Sequence, residues 1–161
     1  MPGKDEIYFT LEKTETGLQL RYSENFRLTY VNMLFTLWQT LDKNEHPVRA
    51  QIAKITDMDE LHNETMKWMD RKKFKKVKLS FDEVVFMNMI FRLDKAIYSS
   101  AFAYDFMRKI EEDSVGKKEE HRKLLVEGFS VLIHNTEIYI EDYPEYHYRK
   151  NHFDKVFPQQ V

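Results

Sequence analysis

The sequence predicts a mainly α fold: a helical bundle of about four or five helices with a small N-terminal β-hairpin. Three observations lead there. Only four glycines and four prolines interrupt 161 residues, so the elements should be long and joined by short turns. From Ser23 onward, apolar residues recur at spacings of three and four, as on helix faces. Before Ser23 the period is two instead, as in strands.

The hairpin is expected over residues 6–22. Ile7, Phe9 and Leu11 alternate with polar positions, as do Leu18, Leu20 and Tyr22, and a polar loop from Lys13 to Gly17 joins the two runs. Two strands alone are marginal in water, so the ribbon should lay its apolar side on helices. Ser23 then offers a helix N-cap. Leu28, Val31, Phe35, Trp38 and Leu41 trace one face, and Tyr30, Met33, Leu34 and Leu37 make the other sides apolar too. A helix apolar nearly all round is expected at the centre of the fold.

Pro47 suits the first turn of the next helix, with Val48, Ile52 and Ile55 inward. Asp57 followed by Glu60 reads as a capping box, with Leu61, Thr65, Trp68 and Met69 behind it. Ser80 and Glu83 form the clearest helix start in the chain. The seam behind them runs through Phe86, Ile90, Leu93, Ile97, Ala101, Tyr104 and Ile110 to about Glu112. After a turn at 113–116, a last long helix is expected over 117–142, with Leu125, Phe129, Leu132 and Tyr139 on one face and Gly128 within it. Pro144 should end it. The chain is thus read as one domain over 1–161, with the hairpin at 6–22, the bundle at 23–142 and an aromatic-rich C-terminal tail at 143–161.

Composition narrows the function. The chain has no cysteine, which excludes disulfides, thiolate zinc sites and a cysteine nucleophile. It also suits a reducing, cytoplasmic setting. The opening MPGKDEIYF has no basic-then-apolar leader pattern and reads as ordinary mature sequence. The longest uncharged stretch, Leu28–Leu41, is fourteen residues, short of the roughly twenty a spanning helix needs. With 25 basic and 27 acidic residues the net charge is −2, which argues against a surface that binds nucleic acid as a whole.

Catalytic motifs are missing. Four glycines, at 3, 17, 116 and 128, cannot make a phosphate-cradling loop, and neither Ser99-Ser100 nor Ser130 lies in a nucleophile elbow. No metal or other cofactor is expected. Bundle metal sites use Glu-x-x-His pairs on facing helices; the nearest pairs here are Asp59 with His62 and His134 with Glu137, and neither is duplicated.

Two surface features remain. Arg71, Lys72, Lys73, Lys75, Lys76 and Lys78 place six cations in eight residues. They are candidates for binding an anionic polymer or membrane surface, or else a solvated segment or helix extension with Phe74 and Val77 inward. Glu137–Glu145 carries four carboxylates and no cation, and Tyr139, Tyr143, Tyr146 and Tyr148 are candidate partner-binding residues. The same stretch could instead fold back over the basic run.

The overall expectation is a non-enzymatic protein-interaction module that binds a protein partner or a second copy of itself. A small metal- or ligand-binding bundle and an anionic-polymer binder working through 71–78 are the alternatives.

Overall fold

The computed structural model describes residues 9–15, 17–43, 48–71, 76–98 and 131–158. Its architecture is mainly α with a small antiparallel sheet, as the sequence predicts. Strands β1 (Phe9–Thr14) and β2 (Gly17–Tyr22) lead into helices α1 (Glu24–Lys43), α2 (Val48–Ile55) and α3 (Met58–Asp70). Strand β3 (Lys76–Leu79) and helix α4 (Phe81–Tyr98) follow. Residues 131–140 are helical (α5), and α6 spans Pro144–Val156.

The hairpin pairs from Phe9 opposite Tyr22 to Thr14 opposite Gly17, so Lys13, Thr14 and Gly17, expected in the loop, are strand residues, and Ile7 lies outside the described residues. Leu18, Leu20 and Tyr22 are buried while Thr10, Glu12 and Arg21 face solvent, so one side of the ribbon lies on the helices. The sheet has a third strand that the sequence reading lacks. β3 pairs antiparallel with β2, Leu79 opposite Leu18 and Lys76 opposite Arg21. The end of the basic run is therefore neither solvated linker nor helix. In Lys76-Val77-Lys78-Leu79 the alternation turns Val77 and Leu79 inward and both lysines outward, which is strand chemistry. Lysines on a short edge strand also discourage further pairing there.

Helix starts follow local chemistry. Ser23 Oγ accepts from the Phe26 N–H at 3.1 Å. Ser80 and Glu83 satisfy each other's backbone N–H groups, both at 3.2 Å, the full capping box. At α3 only half of the expected box forms. Asp57 accepts from Glu60 N–H at 2.8 Å, but the Glu60 carboxylate turns to the Thr56 hydroxyl and to Arg149.

The core is aromatic where the sheet meets α1, α3 and α4. Trp68 lies edge-on to Tyr22 at 5.2 Å and to Tyr30 at 5.1 Å, and Phe26, Phe91 and Phe9 complete the cluster. Edge-to-face packing of such rings adds to the burial itself.

Pro144 ends one helix and begins another. It occupies the first turn of α6, where its missing N–H costs nothing. The stretch read as a tail is thus largely helix, with Tyr146 and Phe153 buried seven residues apart. It packs on α2 and α4 and leaves Arg71 to a different partner, Glu83. The expected positions Val48, Ile97, Ala101, Tyr104, Ile110, Leu125, Gly128 and Phe129, with Ser99, Ser100 and Ser130, fall outside the described side chains.

Candidate interaction surface

Among the described residues, helix α1 carries apolar side chains on more than its buried face. Phe26, Tyr30, Met33, Leu34, Leu37 and Leu41 are buried. Leu28, Val31 and Trp38, predicted as the core seam, are only half-buried, and Phe35 on the same line is 37% exposed. Phe35 stacks on Trp38 with ring centroids 6.0 Å apart and planes 14° from parallel, so the two rings form one flat apolar step.

Helix α3 lies alongside. The N-terminal half of α1 meets the C-terminal half of α3: Arg27 donates Nη1–H to the Trp68 carbonyl at 3.1 Å and Tyr30 packs on the Trp68 ring. The helices therefore run antiparallel. On α3, Leu61, Glu64, Thr65 and Trp68 point inward. The outward line is Asp59, His62, Met66 and Met69, with Met66 45% and Met69 48% exposed. Phe35 and Met66 are thus each exposed on a helix of this pair, away from its buried line. Methionine there is adaptable surface, whereas Met33, Met87 and Met89 are buried in the core.

The other predicted residues scatter. Asp59 and His62 are exposed on α3 and His134 on α5, while Glu137 is held by Arg92 and Tyr146. Among the described residues no three histidine or carboxylate side chains converge as a metal site. Arg71 is half-buried, bonded to Glu83 at 3.2 Å and stacked over Trp68. Lys76 and Lys78 stand on the outer face of the sheet, with Arg21 beside Lys76. Lys72, Lys73 and Lys75 lie outside the described residues.

The tyrosines divide. Tyr139 donates to the Leu11 carbonyl at 2.9 Å, tying α5 to the hairpin. Tyr143 stacks on Phe81 and donates to Asp82 at 2.8 Å, a bond that raises its hydroxyl pKa because it stabilises the neutral form. Tyr146 is core: its hydroxyl accepts from Arg92 at 2.9 Å and donates to Glu137. Burial, then the bond to Glu137, pushes its pKa up. Tyr148 alone is widely exposed, at 74%. Thus Tyr139, Tyr143 and Tyr146 spend their hydroxyls inside the molecule.

No known protein family, curated protein or solved structure matches this chain. Among the described residues, no helix is long and apolar enough to cross a membrane.

Proposed function

We propose that this chain is a non-enzymatic helical interaction module that docks another protein on the outer side of the α1–α3 pair. The observation that carries the reading is the half-buried Leu28–Val31–Phe35–Trp38 line of α1, together with the exposed Met66 and Met69 of its neighbour α3. Apolar residues spaced three and four apart on a helix surface match the seam by which helices recognise one another. Aromatic and methionine side chains are enriched at such contacts. Photo-crosslinking tests it, with a benzophenone side chain at Phe35 and a control at Asn151 on α6. A defined adduct from position 35, lost when Met66 and Met69 become serine, supports the reading. Equal labelling from both positions overturns it.

A second reading rests on a different observation. β3 brings Lys76 beside Arg21, with Lys78 on the same face and Glu12 across Gln19 from it; three cations against one carboxylate suit a polyanion. It predicts binding to heparin or RNA that falls steeply with salt and disappears in Lys76→Ala with Lys78→Ala.

A further inference from the structure

The three-stranded sheet has one open edge. Strand β3 pairs with β2 over Lys76–Leu79, and among the described residues no hydrogen bond reaches its other side. Val77 turns inward yet is only half-buried, as expected beside an edge without a neighbour, while Leu79 is closed off. The opposite edge of the sheet is engaged, because the Tyr139 hydroxyl on α5 donates to the Leu11 carbonyl of β1 at 2.9 Å. An edge with unpaired N–H and C=O groups is a template for one more strand.

Side chains restrict which strand can add. Lys76 and Lys78 are exposed on the outer face, and Arg21, also exposed, lies directly across from Lys76. None of the three has an ion pair among the described residues. Residues opposite each other on paired strands share a face, and like charges there are destabilising. A second copy of β3 would lay lysine on lysine. A second copy of β1 would first have to free its Leu11 carbonyl from Tyr139. A strand carrying carboxylates on the outer face meets Lys76 and Lys78 directly, with Arg21 one strand further in. The lysines therefore repel like strands and attract an acidic one, and specificity draws on both effects.

We infer that the edge of β3 takes an extended segment of another protein as a fourth strand, with acidic side chains at alternate positions beside Lys76 and Lys78. The residues between the acids are apolar and turn inward beside Val77 and Leu79. Backbone hydrogen bonds hold the segment, and the charges select it. This edge is separate from the α1–α3 surface. A polyanion would use the same lysines but would need no strand pairing, and that difference separates the two occupants.

The test uses the full chain and three labelled peptides of about seven residues, the length of an ordinary strand. The first alternates glutamate with valine. The second has lysine in place of each glutamate. The third keeps the first sequence with its backbone amides N-methylated, so the charges stay and the N–H donors are gone. Fluorescence anisotropy should show the first peptide binding at least about tenfold more tightly than either other. Amide exchange at Lys76–Leu79 should slow when it binds. Lys76→Glu with Lys78→Glu should reverse the preference between the glutamate and lysine peptides, a result that a misfolded variant cannot give.

Equal binding of the methylated peptide overturns the inference and leaves the lysines to a polyanion. Failure of the glutamate peptide to bind also overturns it, and heparin bound by the same sample would then name the occupant. If the charge-swapped variant holds the glutamate peptide unchanged, the lysines select nothing and the inference falls. A wild-type oligomer that the charge swap disperses overturns it in favour of a second copy.

Discussion

Asn88 on α4 donates its side-chain amide to the Thr136 hydroxyl on α5 at 2.8 Å, with both residues fully buried. The same amide donates to the Ile133 carbonyl at 3.1 Å, and its oxygen accepts from Arg92 Nε at 2.8 Å. Arg92 in turn holds Glu137 and Tyr146, so one asparagine orders contacts among three helices. Asn88→Ala would remove the side chain that links α4 to α5 and leave Arg92 Nε without its acceptor, while the Ile133 carbonyl keeps the Thr136 hydroxyl at 2.9 Å. A loss of about 2–3 kcal/mol is expected from the lost buried hydrogen bonds and the unpaired Nε–H. Urea unfolding measures the total. Amide exchange in 131–140 should rise more than in α1; uniform loosening would mean that the network does not fix α5.

Glu64 makes stability depend on pH in an unusual direction. Burial raises its carboxyl pKa above 4.5, only partly offset by Lys67 and by the bond accepted from Trp68 Nε1 at 2.9 Å. The native state therefore holds this proton to higher pH than the unfolded chain does. Its contribution to stability is full below the unfolded pKa and is lost as pH rises through the folded value. Glu64→Gln keeps an acceptor for Trp68 and removes the charge. It should raise the melting temperature at pH 7 and leave it nearly unchanged at pH 4. A loss at pH 7 would show that the charge itself is needed beside Arg71.

What was legible in the sequence depended on distance along the chain. The Ser80–Glu83 box and the Phe9–Tyr22 hairpin are settled by neighbours a few residues away. Strand β3 is short, and its partner Leu18 lies far back in the chain, so the lysines dominated its pattern. Pro144 carries the same signal as a stop and as a first-turn start, and only the packing of Tyr146 and Phe153 decides between them. On α1, periodicity found two apolar faces but could not say which would receive a neighbour. The face through Tyr30 did, and the one through Phe35 stayed half-open. A usable signal was present in the Asp42 and Asp59 that end the two outer lines, because a buried seam rarely closes on an unpaired carboxylate.

Gly17 is required by a close approach. A Cβ at this position would lie 3.0 Å from the Leu79 carbonyl oxygen, the backbone of the strand that pairs with β2. Gly17→Ala must push β3 outward at its Leu79 end. Destabilisation of about 1 kcal/mol is expected, with exchange rising first at Val77 and Leu79. If those amides stay protected, β3 has room that the geometry denies it.

Arg149 pins α6 to the start of α3. Its Nη2 donates to both Glu60 oxygens, at 3.2 and 3.0 Å, and its guanidinium lies over the Phe86 ring of α4 at 5.8 Å. Both partners retain some solvent contact, so the ion pair is screened and modest. The planar contact with Phe86 is a second source of stability that lysine cannot reproduce. Arg149→Lys should therefore lose nearly as much as Arg149→Ala, about 1 kcal/mol in each case. High salt should weaken the wild type more than the alanine variant, which has no charge at 149. Salt-dependent urea midpoints for the three proteins decide the matter: a lysine variant equal to wild type would assign the whole effect to charge, and α6 would then be held by Tyr146 and Phe153 without help from the Phe86 stack.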